Sequence, residues 1–105
     1  MIELNKENFT KEVLESGGVT MVDFWSPKCE PCMALEPEVK ALAERFSDKM
    51  KFGKLNVLEN RRLALSQKVL GLPVIAFYKD GEKISELTGD ITPDQVLEAI
   101  NALVN

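Results

Sequence analysis

The chain has 105 residues, 45% of them hydrophobic and 29% charged, the proportions of a folded domain with one modest core. A net charge of -4 argues against nucleic acid or an anionic membrane surface as the main partner. Two cysteines and no histidine are too few soft ligands for a structural zinc within one chain, and leave no imidazole for histidine-assisted cysteine hydrolysis.

There is no repeat, low-complexity stretch or linker, so one domain is expected over residues 1–105. The opening Met1–Glu7 lacks the basic-then-apolar pattern of a secretory signal, and the expected compartment is the cytoplasm. Ile2–Leu4 predicts a short strand. Asn8–Leu14 has apolar positions at helical spacing and predicts a helix that stops before Gly17-Gly18. Val19–Trp25 is β-branched, aromatic and nearly continuous in apolar character, as a central strand covered on both faces is.

Cys29-Glu30-Pro31-Cys32 follows where this strand turns into a helix. Thiols at i and i+3 on one helical face can close a disulfide and reopen it. Near a helix N-terminus, free backbone N–H groups and the helix dipole stabilise a thiolate, the form that attacks other disulfides. The pair therefore reads as a redox dithiol. Three other readings stand beside it. A staple over so short a loop removes little unfolded-chain entropy. A metal or iron-sulfur site needs two chains, each donating its pair. The domain could also dock partners without redox turnover.

The helix after the cysteines places Leu35, Val39, Leu42, Ala43 and Phe46 on one face, and Glu36, Glu38, Lys40, Glu44 and Arg45 toward water. Pro37 removes one of its backbone bonds and is expected to bend it. Lys51–Val57 predicts a strand, Arg61–Lys68 a short helix, and Val74–Tyr78 a strand that Asp80-Gly81 turns into a hairpin with Lys83–Thr88. The run Val69–Tyr78 is about half the roughly 20 apolar residues a membrane helix needs, so no membrane span is expected. Thr92, Pro93 and Gln95 spell a capping box for a last helix with the stripe Val96, Leu97, Ile100, Leu103 and Val104. The order β-α-β-α-β-α-β-β-α implies an α/β fold with a mixed sheet, mainly parallel in its first half, and helices on both faces. Sites in such sheets form beyond the carboxyl ends of strands, where the dithiol falls.

Taken in order, Val22-Asp23-Phe24-Trp25, Cys29-Glu30-Pro31-Cys32, Pro37, Lys54-Leu55-Asn56-Val57, Leu72-Pro73, Lys79-Asp80-Gly81 and Gly89 resemble the thioredoxin family over essentially the whole chain. Arg61–Pro73 further resembles thioredoxins found beside glycine reductase in anaerobic amino-acid fermenters. The resemblance implies a thioredoxin fold and a dithiol-disulfide carrier that reduces disulfides in other proteins. Cys29 would be the nucleophile and Cys32 the resolving thiol. No metal or prosthetic group is implied beyond the reversible Cys29-Cys32 disulfide. The implied partners are a thioredoxin reductase and disulfide-containing proteins, with the chain a monomer.

By the same resemblance Asp23, an isolated acid in an apolar strand, exchanges a proton with Cys32 and is expected to have a raised pKa, with Lys54 as its counter-charge. An aspartate paired with Lys54 for strand register is the plainer alternative. Pro73 resembles the family's cis proline, with Leu72 pairing backbone to backbone with substrate. Trp25 would pack beside the dithiol, and Pro31, Val57, Thr88 and Gly89 would complete the docking surface. The chain departs from the family around the site. Lys28, Glu30 and Met33 stand where tryptophan, glycine and a basic residue are usual, Leu58 replaces a common acid, and Asp90 adds a negative charge.

Overall fold

The structure, a computed structural model, describes residues 1–104. One sheet contains β1 (Ile2–Leu4), β2 (Val19–Trp25), β3 (Lys51–Asn56), β4 (Val74–Lys79) and β5 (Glu82–Thr88), in the spatial order β1-β3-β2-β4-β5. β1 and β2 run parallel to β3, β4 runs antiparallel to β2, and β5 antiparallel to β4. The expected mixed sheet is present, and the almost unbroken apolar sequence of β2 matches its central place.

Strand alternation divides the core into two layers. Val22 and Phe24 of β2 point into the layer that contains Phe9, Val13, Leu55, Ala64 and Tyr78. Met21 points into the other layer, with Phe52, Ile75 and Phe77 from the sheet. Helix α1 (Glu30–Arg45) closes this second layer with Leu35, Val39 and Ala43, and α3 (Pro93–Val104) closes it with Val96 and Ile100. The short α2 (Arg61–Ser66) lies on the opposite face through Ala64. The apolar stripes of both long helices are narrower than expected. Leu42, Leu97, Leu103 and Val104 are only half-buried, because they sit at the margin where helix meets sheet.

α1 runs unbroken through Pro37. The carbonyl that its missing N–H leaves free is that of Met33, an exposed residue, where water can take the bond. α3 begins as the sequence dictates: the Gln95 N–H donates to Thr92 Oγ1 at 3.2 Å, and the Thr92 N–H donates to Gln95 Oε1 at 3.0 Å. In the hairpin, Asp80 (φ 52°) and Gly81 (φ 88°) both adopt the left-handed region that a two-residue turn with strand-matching twist requires. That tight turn lets β4 and β5 each gain a residue over the expected spans, Lys79 and Glu82.

Three expected elements are altered. The Asn8–Leu14 helix is reduced to one wide turn, Thr10–Leu14, closed by the Glu15 N–H donating to the Thr10 carbonyl at 2.7 Å. Upstream, the N–H of Asn5 donates to Asn8 Oδ1 and the N–H of Asn8 to Asn5 Oδ1, so these side chains take up backbone donors that precede a regular helix. β3 ends at Asn56, whose side-chain oxygen accepts the Leu58 N–H at 3.0 Å and turns Val57–Glu59 into a tight helical turn, so Val57 leaves the strand. α2 stops at Ser66, two residues early, because Lys68 takes a left-handed φ of 63°.

Candidate active site

The dithiol is positioned by the turn from β2 into α1. Ser26 is buried; its Oγ accepts the Lys28 N–H and its carbonyl accepts the Cys29 N–H, both at 3.0 Å. This brings the chain round so that Cys29 is the N-cap of α1, with extended backbone and Pro31 in the first turn. The Cys29 sulfur accepts the Cys32 N–H at 3.2 Å, occupying one of the donors left free at the helix start. The two cysteines are joined as a disulfide with Cα atoms 5.3 Å apart. Their exposure is unequal: Cys32 is 4% exposed, whereas Cys29 is partly open to solvent.

Asp23 is 6% exposed on the central strand. Alternation along β2 puts it on the same side as Met21, facing α1, and the same reasoning puts Lys54 on that side of β3 with Phe52. Asp23 and Lys54 are register partners, and Ile75 flanks Asp23 from β4. On α1, Cys32 and Glu36 are one turn apart on a single stripe. Burial pushes the Asp23 carboxyl from its ordinary 3.8 up to about 7; the Glu36 carboxylate adds to the rise and the Lys54 ammonium opposes it.

Lys54 acts on Asp23 as the expected counter-charge, holding its raised pKa down, but without a close ion pair between the two. Among the described residues, the ion pair of Lys54 is with Glu36, Nζ to Oε1 at 3.3 Å. The two are register partners, but the ammonium makes its close contact with the half-exposed Glu36 carboxylate and not with the buried one. The same Nζ lies 5.5 Å from the centroid of the half-buried Trp25 ring. Glu36 therefore does not simply face water. Its place one turn after Cys32 was the sequence signal that pointed to the site. Ser26 is the other residue missed, and a serine three positions before a helix-capping cysteine was its only cue.

The Leu72-Pro73 bond is cis. Pro73 is buried and lines a groove of about 320 Å³ with Pro31, Ala34, Leu35, Gly89 and Ile91. On the other side of Pro73 a second groove is lined by Leu70, Leu72, Thr88 and Gly89, and Val74 and Thr88 pair across β4 and β5. The structure thus gathers Pro31, Leu72, Pro73, Thr88 and Gly89 around the cis bond. Trp25 stands apart from these grooves, in a cavity shared with Lys54, Asn56 and Asn60. Val57 packs half-buried against the core layer of β2 and lines neither groove. Among the described residues no cluster of three or more His, Cys, Asp or Glu side chains is placed to hold a metal, and no helix is long and apolar enough to cross a membrane.

Comparison with known proteins agrees with this geometry. The thioredoxin family model matches residues 1–102. The chain is 47% identical over 100 residues to a thioredoxin of Acetoanaerobium sticklandii, covering 95% of each. It is 45% identical over 104 residues to a thioredoxin of Peptoclostridium acidaminophilum, covering 99% of this chain and 92% of the relative. The structure superposes on that of a mutant thioredoxin from Halobacterium salinarum NRC-1 with a TM-score of 0.88 at 29% identity, over 99% of this chain and 90% of the other. A five-stranded mixed sheet of thioredoxin fold, carrying a disulfide-forming pair at the start of its first long helix, places this chain in the thioredoxin family as a dithiol-disulfide redox carrier.

Proposed function

We propose that the chain reduces disulfides in other proteins, with Cys29 attacking and Cys32 resolving, and that a thioredoxin reductase returns the Cys29-Cys32 disulfide to the dithiol. The observation that carries this assignment of roles is the unequal placement of the sulfurs. Cys29 is partly exposed at the N-terminus of α1, where the Cys32 N–H already points at its sulfur, and Cys32 is buried one turn along. A Cys29 thiolate gains from that N–H and from the helix dipole.

The reaction is two successive exchanges. The Cys29 thiolate attacks one sulfur of the partner disulfide, forming a mixed disulfide and releasing the partner's first thiolate, which takes a proton from solvent. The Cys32 thiol then gives its proton to Asp23 while its sulfur attacks Cys29; the bond to the partner breaks, and the second partner sulfur leaves as a thiolate and is protonated. Two electrons have moved from this chain to the partner. The exchange needs no prosthetic group, and Asp23, near neutrality in its proton affinity, can serve as acceptor in this direction and donor in the reverse.

Docking would use the grooves on either side of Pro73. An extended partner segment would pair with the backbone of Leu72 and rest on Pro31, Pro73, Thr88 and Gly89, a mode that reads main chain more than side chains. Trp25 would shield the far side of the dithiol, and Lys54 would serve the proton-carrying network around Asp23. Val57 would act behind this surface by supporting it. The protein would act in the cytoplasm as a monomer.

The decisive experiment is trapping. Cys32→Ser should accumulate mixed disulfides through Cys29 with a disulfide-containing protein, and Cys29→Ser should accumulate none. The reverse result would exchange the two roles. NADPH-coupled reduction of a model protein disulfide with candidate reductases tests the recycling step.

A further inference from the structure

Lys54 is the cation best placed to neutralise Asp23: the two residues are register partners on adjacent strands and share the face toward α1. Yet its ammonium is held by the Glu36 carboxylate at 3.3 Å and lies over the Trp25 ring, 5.5 Å from its centroid. Glu36 is on α1, four residues after Cys32 and on the same stripe. From β4 the neighbour in register is the apolar Ile75, and the charged groups that act on Asp23 are Lys54 on β3 and Glu36 on α1, with Cys32, joined here to Cys29, one turn before Glu36.

We propose that Glu36 is a positioning residue of the redox site: by holding the Lys54 ammonium, it withholds that cation from Asp23 and keeps the buried carboxyl able to carry the Cys32 proton. This rests on the reading of Asp23 as the acceptor for Cys32 and adds the residue that governs it. Were Lys54 to pair directly with Asp23, the ionised carboxylate would be stabilised, and its affinity for a proton would fall. A weaker base removes the Cys32 proton less readily, so attack of the Cys32 sulfur on the Cys29–partner bond would slow, although Asp23 would stay ionised at lower pH. Glu36 acts twice in the same direction, through the ammonium it holds and through its own negative charge near Asp23.

The test separates proton affinity from turnover. The Asp23 carboxyl is titrated by carbon NMR in aspartate-labelled oxidised protein, and the pH profile of mixed-disulfide resolution is measured in the reduced protein. Glu36→Gln should lower the Asp23 midpoint by about one pH unit, within the range that a nearby charge produces, and shift the resolution profile the same way with a lower plateau. Lys54→Met should raise the midpoint. Glu44→Gln, exposed on the same helix, should leave both readouts unchanged. An Asp23 midpoint that stays put in Glu36→Gln overturns the proposal while leaving the roles of the cysteines intact. A shifted midpoint with an unshifted resolution profile also overturns it. Equal resolution by Asp23→Asn and wild type at every pH would instead refute the underlying reading of Asp23.

Discussion

Replacing Asp23 by asparagine should stabilise the oxidised protein by an amount that depends on pH. The carboxyl, 6% exposed, rises from 3.8 to about 7 on folding, chiefly through burial and then through Glu36, with Lys54 opposing. Because the folded state holds the proton more tightly than the unfolded one, wild-type stability falls as pH climbs between those values and levels off above them. Each pH unit is worth about 1.4 kcal/mol, so the full penalty is on the order of 4 kcal/mol. A neutral amide of the same shape never incurs it. The variant and the wild type should therefore be nearly equal near about pH 4, differ by about 2 kcal/mol near pH 5.5, and by about 4 kcal/mol above pH 7.5. Guanidinium unfolding followed by the fluorescence of Trp25, the single tryptophan, measures the difference at each pH. A gap that stays constant from about pH 4 to 8.5 would show that Asp23 titrates alike in both states and refute the assignment of burial as the cause.

Two further substitutions test parts of the fold and site. Glu30→Gln removes an exposed carboxylate from the first turn of α1, beside the cap where the Cys29 thiolate develops; the redox potential should rise by about 10 to 20 mV against a dithiothreitol series, and a fall would contradict the electrostatics. Gly81→Ala sets a Cβ at φ 88° against the Leu14 carbonyl oxygen, and should cost at least about 2 kcal/mol in denaturant unfolding, whereas an unchanged midpoint would mean that the hairpin can move off the first helical turn.

Much of this architecture could be read from the chain because local and global cues coincide. The unbroken apolar run of Val19–Trp25 placed β2 centrally, Thr92 and Gln95 placed the start of α3, and Asp80-Gly81 placed the hairpin turn. Each of those cues is a short-range rule with one good solution. Pairing choices were harder to read. Periodicity set Glu36 on the wet side of α1 because a charged side chain is expected there, but a helix bordering a sheet has residues at the margin whose long side chains reach inward. Only with β3 laid against β2 does the Lys54 ammonium come within reach of that carboxylate. Val57 was misplaced for a similar reason: β-branched character favoured a strand, and the Asn56 side chain captured the next turn instead. Ser26 carried almost no signal, since its importance lies in a buried carbonyl and hydroxyl that only the completed turn reveals.

The strands at the two ends of the sheet bear on how copies of the chain avoid pairing with one another. β1 has three residues, too few to recruit a long intruding strand. β5 is longer, but it exposes Glu82 and Glu86, and its pairing with β4 slips between Phe77 and Tyr78, so it is charged and irregular. Copies of the chain are thereby discouraged from zipping together rim to rim. The backbone proposed for visitors is then the short stretch at Leu72, beside the sulfurs, where an encounter can end in exchange and release. With that proposed stretch as the one hospitable place, blunt rims would confine adhesion to where chemistry can undo it.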